Sequence, residues 1–226
     1  MKNKVPVPED ENNLFSQIEN FVKIVKILRR DCPWDSKQTH KSISHLLIEE
    51  AYEAVDAINK GNMKEFSKEL GDILLHIVMH SVMASETNDF DFIDVIKAIS
   101  NKMINRHPHV FEIETNNSIK KEVTTAEQVL DSWEKIKMTE VAGRASVLDG
   151  VPDSLPSLLK AERIQEKAAR VGFDWIEKQD VWKKVYEEFD ELRAELEKND
   201  VKKKEEEFGD VIFALVNAAR FEKIVL

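Results

Sequence analysis

EEAYEAVDAINKGNMKEFSKELGDILLHIVMHSVMASE, residues 49–86, holds most of two helices and the turn between them, and the rest of the chain follows their pattern. Apolar residues Leu47, Ala51, Ala54, Val55 and Ile58 share one side of a helix predicted over 42–59, which Gly61 terminates. A second helix is predicted over 63–86. It is apolar nearly all round between Leu70 and Met83, which places it in the middle of a bundle. So short a connection makes the two helices antiparallel neighbours.

The same periodicity extends in both directions. Leu14, Ile18, Phe21, Val22, Val25 and Leu28 mark an amphipathic helix that the Pro33 segment breaks, after a leader, 1–13, expected to be disordered. A fourth helix is predicted over 92–106, stopping before Pro108, and another over 126–140, carrying Trp133, beyond a polar loop. The Gly- and Pro-containing stretch 143–156 reads as a linker, followed by three more helical patterns. The fold class expected is all-α, with an N-terminal domain over 14–142 and a C-terminal one over 157–226.

Composition narrows the function. With 43 acidic against 33 basic residues the chain carries a formal charge of -10, which argues against a general nucleic-acid binder. An acidic protein that binds a phosphorylated ligand usually needs a cation between the two. One cysteine, Cys32, excludes an internal disulfide framework and reads as structural. No signal-like or membrane-spanning apolar stretch opens the chain, so a cytoplasmic location with no membrane partner is the expectation.

Within the quoted stretch stand Glu50-x-x-Glu53 and Glu69-x-x-Asp72, and these return, all four at one constant offset, as Glu188-x-x-Glu191 and Glu207-x-x-Asp210. The flanks agree as well, Glu69-Leu70-Gly71-Asp72 matching Glu207-Phe208-Gly209-Asp210. Residues three apart on a helix share a face, so antiparallel packing makes the four carboxylates of each half converge. Such a cluster repels itself unless cations neutralise it, and hard oxygen donors suit Mg2+, with Mn2+ as a substitute. A lone Glu-x-x-Glu is commonly a solvated surface. Asp72, set among Gly71, Ile73, Leu74 and Leu75, is harder to leave unpaired.

These residues resemble the MazG nucleoside triphosphate pyrophosphohydrolases, within the wider all-α NTP pyrophosphatase superfamily. The resemblance runs from Leu14 to Arg220 and is carried by Cys32-Pro33-Trp34-Asp35, Glu49-Glu50-Ala51-Tyr52-Glu53, Glu69-Leu70-Gly71-Asp72, Arg106-His107-Pro108-His109, Val171-Gly172-Phe173-Asp174-Trp175 and Val185-Tyr186-Glu187-Glu188. It implies tandem MazG-like bundles and magnesium-dependent hydrolysis of nucleoside triphosphates to monophosphate and pyrophosphate, with broad nucleotide acceptance and a housecleaning or pool-control role. It implies that the catalytic, metal-holding set is Glu50, Glu53, Glu69 and Asp72, with Glu188, Glu191, Glu207 and Asp210 as the second metal set. Lys102 and Arg106 correspond to the basic residues that meet the phosphates, and Trp133 and Lys137 to a later substrate-binding pair. One departure accompanies this. The chain stops at Phe221-Glu222-Lys223-Ile224-Val225-Leu226, so the second bundle is expected to be incomplete and to lack its phosphate clamp.

Other residues join the substrate-facing set. Trp34 and Trp175 precede the acidic helix of each half, where a ring either stacks on a nucleobase or anchors the first helix. Lys184, with Glu187 beside it, either approaches the phosphates or is solvated. His76 and His80 continue the Asp72 face at four-residue steps, which raises a di-iron oxidase as a rival. The Glu-x-x-His pairing is absent and the repeat has Ala214 and Ala218 there, so packing or hydrogen bonding explains the histidines better. The non-enzymatic rival is a degenerate nucleotide-binding module. Short bundles leave apolar faces uncovered, from which a homodimer is expected.

Overall fold

The computed structural model describes residues 3–111, 125–126, 128–129, 132–133, 136 and 146–224. Among them every regular element is helical, as the periodicity predicts: α1 Leu14–Asp31, a 3-10 turn Asp35–Lys37, α2 Ser44–Asn59, α3 Met63–Glu86, α4 Phe92–Arg106, α5 Ser157–Arg170, α6 Lys178–Leu196 and α7 Val201–Phe221. Of the helix expected over 126–140 only the six residues just given are described, and all but Thr125 among 125–136 are helical. Lys137 lies outside the described residues.

The chain divides into two compact units, Met1–Asn105 and Arg106–Leu226. The linker expected over 143–156 is described from residue 146, where it forms turns inside the second unit. The leader, described from Asn3, carries no helix, and Asn3 donates to the Asp31 carboxylate at 2.7 Å.

In the first unit α1 and α2 both pack on α3. The α2–α3 turn is closed by backbone bonds from Gly61 to Ile58 and from Asn62 to Ala57, both 2.9 Å. That pattern needs the left-handed backbone of Gly61, whose φ is 65°. Asn62 then caps α3 through the Glu65 amide at 3.2 Å. Val25, Ile43, Val78, Met79, Val82 and Met83 make the core, with Phe21, Val22 and Leu75 against it. Each such side chain contributes roughly 1.5–3 kcal/mol of burial. The core surrounds only the later half of α3. Leu70, Leu74 and Ile77 remain exposed, against the expectation that this helix is covered all round.

In the second unit α5 and α6 pack on α7 in the same arrangement. Val181, Val185, Ala214 and Ala218 form its core, flanked by Trp182 and Phe221. Gln165 of α5 donates to the Phe213 carbonyl at 2.7 Å, and the buried Lys167 donates to the Val147 carbonyl at 2.9 Å. Asp200 caps α7 through the Lys203 amide at 3.2 Å, at the position in the second copy that answers to Asn62 in the first.

Candidate metal centre

The hairpin of α2 and α3 sets Glu50 against Glu69 and Asp72, with one carboxylate oxygen of each within 4.8 Å of the other two. Glu69 is buried, Glu50 half-buried and Asp72 exposed, so the cluster lies at the margin of the core, open on one side. Burial, then the charges of Asp72 and Glu53, push the Glu50 carboxyl above its ordinary range. Burial and then Glu53 do the same to Glu69. Glu53 thus stands close enough to act on both while remaining exposed and outside the tight trio. An open groove of about 350 Å³ at the turn end is lined by Glu53, Asp56, Ala57, Lys60, Asn62, Glu65 and Glu69. Its walls are mainly acidic, which favours a cation over a bare phosphate.

The α6–α7 pair repeats the arrangement. Glu188, Glu207 and Asp210 bring one oxygen each within 4.8 Å, and Glu188 is buried. Burial, then Glu191 and Asp210, raise the Glu207 carboxyl, and its Oε2 is buried with no hydrogen-bond partner among the described residues. Like charges gathered in low dielectric, with an oxygen left unsatisfied, are what a hard divalent cation relieves, and the donors are all oxygens. Both sets therefore fit Mg2+ by chemistry.

The two sets differ in their counter-charges. Lys184 lies 2.7 Å from Glu187 and 2.8 Å from Glu188, and these bonds push its ammonium above the usual lysine range. Its counterpart in the first copy is Leu46. There Lys68, paired with Glu65 at 2.7 Å, also acts on Glu69 and Asp72, and His76 Nε2 lies 4.0 Å from Glu50 Oε1. The Lys184–Glu188 spacing, one helical turn, was readable in sequence, but the approach of His76 to Glu50 crosses between helices and was not.

The remaining candidates are placed less tightly. Lys102 is exposed on α4, a helix with no buried residue, and among the described residues it forms no ion pair with the first carboxylate set. Arg106 is half-buried in the last turn of α4. Trp133 meets His107 edge-on, centroids 4.8 Å apart, and its indole nitrogen is buried without a hydrogen-bond partner among the described residues. Trp34 and Trp175 are 57% and 44% exposed, on loops rather than in the core. Each loop is held by an arginine. Arg29 donates to the Asp35 and Gln38 carbonyls and pairs with Glu86, while Arg220 grips Asp174 at 2.6 and 3.0 Å. His80 meets His40 through their Nδ1 atoms at 2.8 Å, which is the hydrogen-bonding role expected of it.

Comparison with known proteins adds to this geometry. The MazG nucleotide pyrophosphohydrolase domain matches residues 38–111, the span of the first hairpin and α4. A nucleoside triphosphate pyrophosphohydrolase of Escherichia coli K12 is 43% identical over 213 residues, covering 91% of this chain and 78% of that protein. The nucleoside triphosphate pyrophosphohydrolase/pyrophosphatase MazG of Thermotoga maritima is 42% identical over 206 residues, covering 90% and 75%. An uncharacterized Bacillus subtilis protein, YabN, is 42% identical over 97% of this chain but 44% of its own length. Identity at this level over nine-tenths of the chain shows that the chain belongs to the MazG nucleotide pyrophosphohydrolase family.

Proposed function

We propose that this chain hydrolyses nucleoside triphosphates to monophosphate and pyrophosphate, using Mg2+ held by the first carboxylate set. The observation that carries the reading is the convergence of Glu50, Glu69 and Asp72, one oxygen each within 4.8 Å, in a chain of this family. Bound there, Mg2+ would neutralise the carboxylates and the triphosphate and lower the pKa of an attacking water. In this reading Glu53, exposed beside the trio, orients that water and accepts its proton. Lys102 and Arg106, four residues apart on α4, supply the positive charge that the leaving pyrophosphate requires. Trp34, Trp133 and Trp175, with Lys137, Lys184 and Glu187, remain the substrate-facing residues, and aromatic stacking suits broad acceptance of ordinary and altered bases. Nucleotide-pool control is the role consistent with such breadth.

The second set, with Glu188, Glu191, Glu207 and Asp210, is proposed as a further cation site already partly neutralised by Lys184. A homodimer is proposed because Leu70, Leu74 and Ile77 are exposed on α3. Among the described residues no helix is long and apolar enough to cross a membrane.

The test is pyrophosphate release from a panel of triphosphates with and without Mg2+. Glu69→Gln and Asp72→Asn are expected to lower turnover at least about 100-fold with the helical signal retained. Full activity in both variants assigns catalysis elsewhere. Nucleotide binding without turnover in the wild-type chain supports a binding module instead.

A further inference from the structure

The two acidic hairpins are fastened at equivalent places by different chemistry. In the first, His40, in the turn ahead of α2, meets His80 of α3 through their Nδ1 atoms at 2.8 Å. In the second, the repeat offset sets Lys178 in place of His40 and Ala218 in place of His80. There Lys178, which begins α6, pairs instead with Glu222 at the end of α7, and Glu222 also accepts from the Trp182 indole at 3.0 Å.

The His40 and His80 ring planes are within 10° of parallel, with centroids 5.1 Å apart. Nitrogens 2.8 Å apart are too close for rings stacked face to face, so the rings lie edge to edge in nearly one plane, the lone pair of one against the N–H of the other. Such a bond carries one proton. It survives with both rings neutral or with one charged, and is lost when both are charged, because each Nδ1 then bears a hydrogen. His76 lies one turn away on α3, its centroid 6.4 Å from that of His80, and itself faces Glu50 of α2. Lys41 adjoins His40 in sequence, and α1 brings Arg29, which is engaged with Glu86. Burial, then the charges of His40 and His76, hold the half-buried His80 below the ordinary histidine range.

Between Trp34 and His40 the loop is one hydrogen-bonded unit. The Gln38 side chain donates to the Trp34 carbonyl at 2.9 Å, and Ser42 Oγ donates to Gln38 Oε1 at 2.8 Å. Arg29 holds this unit through the Asp35 and Gln38 carbonyls, and the histidine pair holds its far end to α3.

We infer that His40 and His80 are positioning residues for the Trp34 loop, tying it to the helix that bears Glu69 and Asp72 while they share one proton and releasing it when both rings are charged. This rests on the reading of Trp34 as a substrate contact of the first set. As pH falls through the lowered His80 value, the first unit loses its tie and the second keeps its own. An ammonium and a carboxylate stay paired until the carboxylate is protonated, and Lys178 and then Trp182 hold Glu222 below the ordinary glutamate range. Release leaves the loop anchored by Arg29, so substrate affinity falls severalfold and the fold persists.

The full chain, with Mg2+ and labelled with 15N in histidine and tryptophan, is followed by NMR from about pH 8 to about pH 5, the Trp34 indole signal being assigned with Trp34→Phe. The two rings are expected to titrate in coupled steps, and the Trp34 signal to move with the second step while the Trp175 signal stays. His40→Asn keeps a donor and an acceptor where Nδ1 stood and does not titrate, so it is expected to hold Trp34 in its closed position throughout. His80→Ala, which copies the second half, is expected to give the open position at every pH. In pyrophosphate release, lowering the pH is expected to raise the wild-type KM at least about threefold more than that of His40→Asn, with kcat changing alike in both. Two independent titrations, a Trp34 signal indifferent to the second step, or a step that persists in His40→Asn overturns the inference. A Trp34 signal that moves while the two KM values stay equal upholds the tie and overturns the Trp34 contact beneath it. Absence of turnover at every pH overturns the proposed activity, and the NMR titration then decides the tie by itself.

Discussion

Glu50 shows the cost at which the carboxylates are brought together. Its carboxyl is raised by burial and by Asp72 and Glu53, so in the folded state it holds its proton to a higher pH than in the unfolded chain. The sign follows directly. A raised folded-state value makes the metal-free protein less stable as pH rises through that value, and it regains the stability as pH falls back toward the ordinary glutamate range. Metal-free protein is therefore expected to melt higher at pH 5 than at pH 7, and saturating Mg2+ to reverse the trend. Glu50→Gln removes the repulsion without changing shape. It is expected to raise the metal-free Tm by about 2 °C and to shrink the Mg2+-induced rise, both read by calorimetric scans. The three-residue spacing made the pairs on each helix legible from sequence. His76 was visible as a neighbour of Asp72 on its own helix, but its partner Glu50 belongs to the facing helix, and no periodicity reports that distance.

Among the elements, the loop between α1 and α2 is held by one side chain. Arg29, itself half-buried, donates to the carbonyls of Asp35 and Gln38 at 2.8 and 2.9 Å and forks onto Glu86 at 2.7 and 2.8 Å. The Asp35 carbonyl also accepts from the Gln38 amide at 3.2 Å, so the Gln38 carbonyl is the acceptor most dependent on the guanidinium. Arg29→Met is expected to cost about 1–3 kcal/mol, seen as a lower urea midpoint at unchanged slope. The Glu86 end is half-exposed and contributes the smaller part. A second prediction concerns Gly71, which lies inside α3 with ordinary helical backbone and open space where a Cβ would be. Glycine there costs about 1 kcal/mol relative to alanine, so Gly71→Ala is expected to raise Tm by about 2–4 °C. A fall instead would mean that something approaches that face in the assembled protein. The helices themselves were readable almost to the residue, α3 and α4 at both ends, because the terminator Gly61 and the stop at Pro108 are local signals. The loop clamp was not, since Arg29 and Glu86 are 57 residues apart.

For the whole molecule the informative feature is apolar surface in matched places. Leu70, Leu74 and Ile77 are 48%, 40% and 37% exposed, and their counterparts in the second copy, Phe208, Ile212 and Leu215, are 50%, 48% and 39% exposed. Equivalent stripes on two hairpins are more than the scattered single residues of an ordinary surface. Each unit leaves its long helix covered on one side by two helices and bare on another. The proposed homodimer would set a second copy against these stripes, and on that proposal Leu74→Lys with Ile212→Lys is expected to convert a dimer to monomer in sedimentation velocity. A monomeric wild-type protein at micromolar concentration would refute this.

The sequence by itself determined the helical class, the extent of the elements, and the recurrence of four carboxylates at a fixed offset, because all of these rest on contacts within a few residues or on identity between two stretches. It also carried the family, through motifs spread along both halves. Only the tertiary structure decided which three of the four carboxylates meet in each half. It also showed that Lys184 pairs with Glu188 of the second set, that an imidazole flanks the first, and that half of α3 faces outward. Those outcomes depend on the rotation of one helix against another, which turns a residue toward or away from its neighbour without altering the periodic pattern that a sequence displays.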